Sequence, residues 1–404
     1  FAAATRAHEL GIELIIVDHH QIDPIKGLPQ AVAVINPQRE DCPSQLRQLC
    51  GCGLAFYLAM GLRAKGRDRG WFKDRLEPNL RQHLDLVVVG TAADLVPLKG
   101  DNHILVRHGL QVLKSSAKPG LRALLAAAGI ADGKDLSPGH LGFVLGPRIN
   151  ASGRLGSASL ALELLTTQDA ARAMQLAQEL EAINQERARL QNEIWDEVRA
   201  EVEAGIAAGK FSHAVVVGSA RWHEGVVGIV ASRVTETFHR PAIVMGIRDG
   251  IAKGSARSYA GKDVLAGLRA CAALLVGFGG HRHAAGMSLK EENFAAFAEA
   301  FNEALVGDAV VPHATPLTID ATCALEDLDL KALQQLERLG PFGPGNPDPV
   351  IRLRARIAQP GYRALKNRHL KLTLVGETGY LVDSIWFGAA ENADLYSRLS
   401  SDRD

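Results

Sequence analysis

The chain has 404 residues, 47% of them hydrophobic, enough for more than one packed core, so two to four domains are expected. Its 45 Lys and Arg balance 45 Asp and Glu, which excludes a uniformly basic nucleic-acid binder and confines any basic surface to local patches. Five cysteines (Cys42, Cys50, Cys52, Cys271, Cys323), odd in number and without C-x-x-C spacing, speak against a disulfide framework or a zinc site and for a reducing cytoplasm; no apolar run approaches a membrane span, and no signal-peptide pattern is visible.

In chain order, "AATRAHELG" reads as a helix that stops at Gly11. "IELIIV" (Ile12 to Val17) is a short apolar run, the pattern of a strand buried on both faces, and it leads straight into Asp18, His19 and His20. "LAFYLAMGLRAKG" is helical. "LDLVVVG" (Leu84 to Gly90) reads as a second buried strand, followed by small residues and Asp94. Strands alternating with helices predict a parallel sheet in an α/β fold. Residues 167–209 predict one long helix of the kind that bridges domains.

The pattern then restarts. "HAVVVGS" and "PAIVMGI" read as strands around the helix "EGVVGIVASRVTETF". "AKGSARS" reads as a turn or strand end, "VLAGLRACAALL" as a helix, and "FGGHRHAAGMSL" as a glycine-rich turn into a strand. This is a second, smaller α/β domain. From about Pro316, short strands separated by turns predict a small β-barrel or sandwich. Expected boundaries are 1–166, a connecting helix 167–209, 210–312 and 313–404.

Ligands of parallel α/β sheets sit outside the carboxyl ends of the strands, which is where Asp18-His19-His20 falls. Carboxylate and imidazole together suit a hard divalent cation; a hydrogen-bonded strand end is the plainer alternative. Asp94, at the end of the second apolar run, is a candidate ligand beside the first site, or else a turn residue. Between Arg221 and Lys290, ten Lys and Arg face four Asp and Glu. Ser255, Arg257 and Ser258 in "GSARS" form a donor-rich set suited to phosphate. Gly279 and Gly280 let backbone approach a ligand, with His281 as a donor, unless the segment is only a tight turn. Arg148, Asn150 and Arg154 in "GPRINASGR" are candidates for the same phosphate, with surface salt bridges as the alternative. "VIRLRARIA" spaces Arg352, Arg354 and Arg356 at period two, one face of a strand, suited to tracking a nucleic-acid backbone or to deterring edge pairing.

The ordered set "VDHH", "GTAADLVPL", "GPRINASGRLG", "WHEGVVGIVASR", "KGSARS" and "GFGGHRHAAG" resembles the DHH phosphoesterase superfamily, and within it the exonucleases that act on single-stranded DNA. The resemblance spans nearly the whole chain. It implies an α/β DHH domain, a DHH-associated domain and a C-terminal OB-like domain preceded by a motif matched by "GPFGPGNPDP". It implies 5′→3′ exonucleolytic, two-metal hydrolysis of phosphodiesters with Mn²⁺ or Mg²⁺, in DNA recombination and repair. Asp18 would be a structural carboxylate, His19 and Asp94 metal ligands, and His20 would face the scissile phosphate. The family also carries a D-x-D-G type motif and a further aspartate before D-H-H. The chain opens on Phe1 in mid-pattern, so it is expected to be a piece of a longer protein, with an incomplete metal centre and no activity alone. Implied partners are single-stranded DNA, a single-strand-binding protein and a RecQ-type helicase; a monomer is expected. The rival readings are a phosphodiesterase acting on short oligonucleotides or cyclic dinucleotides, which has no use for a basic barrel, and a non-catalytic single-strand binder, which has no use for intact Asp18, His19, His20 and Asp94.

Overall fold

The computed structural model describes residues 1–22, 26–306, 317–366 and 368–389. They fall into two compact units: Phe1–Gln111 with Ser137–Gly139 and the described part of Pro316–Asp404, and Val112–Leu136 with the described part of His140–Thr315. The expected boundary at 312–313 lies outside the described residues.

Helix α1 (Ala2–Glu9) is followed by β1 (Ile15–Val17), which pairs in parallel with β2 (Ala33–Ile35). The strand is not covered on both faces as expected: Ile15 is 60% exposed, and β2 is the sole strand partner of β1 among the described residues. Helix α2 (Gly51–Asp68) starts at Cys50, whose sulfur accepts the Gly53 N–H. The larger correction concerns Leu84 to Gly90, which is not a strand but part of helix α3 (Leu84–Ala93). Leu84, Val87, Val88, Val89 and Ala92 are buried together with the polar Asp85 and Thr91, so the segment is enclosed on every side, and a short, mostly apolar run of that kind looks the same in a buried helix as in a buried strand. Gly90 makes the close packing possible, since a Cβ there would lie 2.3 Å from the Cys52 sulfur of α2. Asp94 is therefore the C-cap of a helix.

Helix α4 (Asp101–Lys114) comes next. There follow α5 (Pro119–Ala127), a single turn α6 (Pro138–His140), a π-helical turn at Leu141–Leu145, α7 (Gly146–Leu155) and α8 (Ser159–Thr166). The expected long helix is α9 (Ala170–Ala207), opened by Asp169, which accepts the N–H groups of Ala171 and Arg172. Next come β3 (Val215–Ser219), α10 (Val227–Phe238), β4 (Ala242–Arg248), β5 (Ile251–Arg257), α11 (Val264–Ala270), β6 (Gly277–His281), β7 (Ala284–Lys290) and α12 (Phe294–Ala304). The five strands form one sheet in the order β3-β4-β5-β7-β6, parallel at β3-β4 and antiparallel elsewhere. "AKGSARS", read as a turn or strand end, is mostly the full strand β5 in the middle of that sheet. Alternate residues of β3 and β4 serve two cores. Val215, Val217 and Val244 pack with Trp195, Val198 and Val230 of α9 and α10; Val216, Ile243 and Met245 pack with Phe297 and Phe301 of α12. A sheet covered on both faces is a stiff base for a site.

The last region contains β8 (Ala321–Thr322), α13 (Leu330–Glu337), β9 (Ile351–Arg352), β10 (Arg356–Leu365), β11 (His369–Val375) and β12 (Leu381–Trp386). β8 and β9 pair in parallel; β10, β11 and β12 form an antiparallel sheet. The single arginine-striped strand expected here is not formed. Arg352 pairs across from Thr322, Arg354 lies in the link between strands, and Arg356 begins β10 opposite Val375. The chain changes sheets within three residues, so the period-two spacing does not place the three arginines on one face, although all three are exposed. "GPFGPGNPDP" lies against the segment after Asp94: the Leu98 N–H donates to the Pro344 carbonyl at 2.6 Å, and Gly343 packs on Leu98.

Candidate active site

The first cluster forms where β1 ends. The Asp18 N–H still donates to the Ile35 carbonyl, which holds the chain in register with β2 one residue past the strand. Asp18 Oδ1 then accepts the backbone N–H of His19 at 2.8 Å and of His20 at 3.3 Å, and sits 2.7 Å from His20 Nδ1. Burial raises the Asp18 pKa, but these hydrogen bonds outweigh it, so the carboxyl stays below its ordinary value and ionised. Asn36, buried just after β2, donates to the His20 carbonyl at 2.9 Å and fixes the turn from the other strand. Sequence reasoning misses Asn36; its signal is only an amide in a strand end otherwise apolar.

Ligand atoms of Asp18, His19 and His20 all lie within 4.8 Å of one another. Asp94 comes to the same place from α3: His19 Nδ1 is 3.6 Å from Asp94 Oδ2. That is too long for a good hydrogen bond, yet two ligands of one ion held at about 2.1 Å stand about 3–4 Å apart. Asp94 also caps a helix C-terminus, where the unpaired carbonyls add negative partial charge that a cation would relieve. Oxygen and imidazole donors, with a carboxylate placed in an already negative position, fit a hard divalent ion.

The second cluster belongs to the five-stranded sheet. A cleft of about 840 Å³ is lined by Arg154, His223, Lys253, Ser255, Arg257 and Gly279 among others, and the first turn of α10 forms part of its wall through Val227 and Gly228. Arg257 is held firmly: Nε donates to Ser232 Oγ at 3.1 Å, Nη1 to the Ala256 carbonyl at 2.9 Å and to Ser255 Oγ. Its Nη2 has no hydrogen-bond partner among the described residues and faces Gly228, where a Cβ would come within 3.2 Å. Arg154 donates to the Gly225 carbonyl at 3.1 Å. Burial first, and the Arg154 guanidinium second, lower the Arg257 pKa; burial, Arg154 and Arg148 do the same to Arg187 on α9. Like charges gathered at a helix N-terminus, over bound serine hydroxyls, make a site for an anion.

The remaining sequence candidates divide. Arg148 is spent on an ion pair with Glu181 at 2.6 Å and on the Val144 carbonyl. Asn150 is exposed on α7. Ser258 donates to the Lys262 carbonyl in a turn. Gly280 (φ +142°) is required by its backbone, since a Cβ would meet the Ala284 oxygen at 2.5 Å, and His281 ends β6 exposed. None of these five lines the cleft. Sequence reasoning also misses His223, Gly225 and Gly228 as site residues, although "WHEGVVG" signals them: small residues at a helix start after a strand.

Family models match in order along the chain: the DHH family N-terminal domain at residues 1–91, the DHHA1 domain at 209–307 and the RecJ OB domain at 319–401. A curated relative from Dickeya dadantii, named single-stranded-DNA-specific exonuclease RecJ, is 40% identical over 96% of this chain and 68% of its own length. The chain belongs to the RecJ family. The Escherichia coli RecJ exonuclease is 38% identical over the same shares. The crystal structure of RecJ from Thermus thermophilus in complex with Mn²⁺ superposes with a TM-score of 0.77 at 30% identity, covering 96% of this chain. A second RecJ structure, bound to manganese, gives a TM-score of 0.61 at 34% identity, covering 76% of this chain and 73% of its own. The chain spans 59% of the Thermus RecJ chain.

Proposed function

We propose that this chain carries out the RecJ reaction as part of its full-length protein: exonucleolytic hydrolysis of single-stranded DNA from the 5′ end. The observation that carries this reading is the cleft of Arg154, Ser255 and Arg257 at the start of α10, a preformed site for a phosphate in a chain that also holds an Asp18-His19-His20 cluster. His19 and Asp94 would hold a divalent ion, Mn²⁺ or Mg²⁺, with the rest of its donors supplied elsewhere. When bound, such an ion lowers the pKa of water and neutralises charge on the leaving oxygen. Asp18 orients the turn through two backbone N–H groups and keeps His20 Nδ1 engaged, which leaves Nε2 as the ring nitrogen to face the scissile phosphate. Arg257 and Ser255 would grip the terminal 5′-phosphate, which carries more charge than an internal phosphodiester, and Arg154 would close over it. The exposed Arg352, Arg354 and Arg356 would contribute phosphate contacts along the strand without forming one stripe. Single strands of this kind are exposed by helicases and covered by binding proteins, so a RecQ-type helicase and a single-strand-binding protein are the partners this reading implies.

The test is direction. The full-length protein with Mn²⁺ should shorten a 3′-labelled strand progressively while releasing mononucleotides, and should leave duplex intact. Shortening from the 3′ end, or release of internal fragments, would reject the reading.

A further inference from the structure

Two thiols that the proposed nuclease chemistry does not use lie directly behind the candidate metal cluster. Cys50 and Cys52 flank Gly51 at the first turn of α2, with their sulfurs 3.3 Å apart. Cys50 Sγ is also 3.4 Å from Thr91 Oγ1, and Cys52 Sγ is 3.5 Å from the Val87 carbonyl oxygen. The Thr91 hydroxyl also lies 2.7 Å from the Val87 carbonyl, so its proton can serve either that carbonyl or the Cys50 sulfur. The pair is thus tied into α3, the helix that ends at Asp94. On the other side, Gly51 carries His19: a Cβ at Gly51 would stand 3.8 Å from His19 Cδ2. Gly51 thus lies between the thiols and His19, and Gly90, which packs on Cys52 and accepts the Asp94 N–H at 3.0 Å, lies between them and Asp94.

We propose that Cys50 and Cys52 are a reversible oxidation site for small peroxides, and that closing the disulfide weakens the metal centre. Cys50 is the sulfur on which a thiolate forms, because it sits at a helix N-terminus and accepts the Gly53 amide. The pair is not sealed: Cys50 is 2% exposed but Cys52 is only partly buried, which suits an oxidant little larger than water. The Cys50 thiolate attacks one peroxide oxygen; the O–O bond breaks, hydroxide leaves, and Cys50 becomes a sulfenic acid. The Cys52 sulfur then attacks the Cys50 sulfur; the S–O bond breaks, and the departing hydroxide takes the Cys52 proton as water. Two thiols lose two electrons, and one peroxide becomes two waters. A dithiol reductant reverses the change by exchange. The sulfurs must close from 3.3 Å to about 2.05 Å, which draws Cys50 from Thr91 and Gly53 and draws Cys52 from its seat against Gly90. His19 rests on Gly51, between the two cysteines, and the Asp94 N–H donates to the Gly90 carbonyl, so both lie next to the groups that move. The oxidation stands independently of the nuclease reading; its effect on the metal rests on that reading.

The experiment treats the full-length protein with stoichiometric hydrogen peroxide. Peptide mass mapping should find a Cys50–Cys52 crosslink, about 2 Da lighter than the dithiol, that dithiothreitol removes. Calorimetry should show Mn²⁺ affinity falling about 10–100-fold in the crosslinked form, as when a group that supports a metal ligand is removed, and returning on reduction. Cys52→Ser and Cys52→Ala should form no crosslink and gain one oxygen at Cys50 instead. Absence of the crosslink in the wild-type protein would overturn the oxidation site and leave the nuclease reading intact. A crosslinked protein that binds Mn²⁺ as tightly as the reduced one would overturn the coupling to His19 and Asp94.

Discussion

The Asp18–His20 turn and the Arg257 cleft are built in opposite ways. At the turn, His19 and Asp94 approach to 3.6 Å without bonding, and the strand beneath has one partner among the described residues. In the cleft, Arg257 is fixed by three hydrogen-bond acceptors on a sheet with a hydrophobic core on each face. A metal ion can draw loosely placed donors into its own geometry; a phosphate cannot, so its donors must be preorganised by the protein. On this account the turn supplies the chemistry and the cleft supplies the choice of strand end.

The comparison breaks first at the metal. His19→Ala or Asp94→Ala in the full-length protein should lower turnover about a thousandfold or more, since the bound ion supplies several kcal/mol of charge stabilisation. Affinity for single-stranded DNA, measured without turnover, should change little. Turnover near the wild-type level with Mn²⁺ would remove these residues from the site.

The cleft makes a claim about space. Gly225→Ala places a Cβ 2.2 Å from the Arg154 carbonyl oxygen, a backbone contact that cannot yield cheaply. It should cost about 1–3 kcal/mol in denaturant unfolding, as overpacking does, and weaken preference for 5′-phosphorylated strands. Unchanged stability would mean that α7 and the start of α10 are not locked together.

The smallest expected effect concerns the C-terminal arginines. Because Arg352, Arg354 and Arg356 are exposed but share no strand face, each should act alone. Replacing all three with Ala should flatten the slope of log K against log salt by up to about 0.7 for each phosphate that is no longer neutralised. A slope identical to the wild type would show that they face solvent only.

What the sequence revealed follows the same division. Strands β3 and β4 of the second unit are legible because alternate residues such as Val215 and Val216 feed two cores, giving a continuous apolar run bounded by turns, whereas β5 and β6, rich in glycine and polar residues, leave no such run. Leu84 to Gly90 misleads because a helix buried all round leaves the same run. Asp94 still reaches His19, since its position depends on where α3 ends rather than on whether α3 is a helix or a strand. Arg257 and Arg154 are separable from Arg148 only in three dimensions: all three look alike in the sequence, but Glu181 occupies Arg148. Arg352 to Arg356 fail as a stripe because a change of sheet leaves no mark on residue spacing.

The most direct test of the division between chemistry and choice of end is the rate of Arg257→Ala beside wild type on two strands, one with a 5′-phosphate and one with a 5′-hydroxyl. A charge-assisted hydrogen bond is worth about 1.5–3 kcal/mol, so the variant should lose roughly tenfold to a hundredfold on the phosphorylated strand. It should lose much less on the hydroxyl strand. Equal losses on both would make Arg257 a general backbone contact and contradict the assignment of end selection to the cleft.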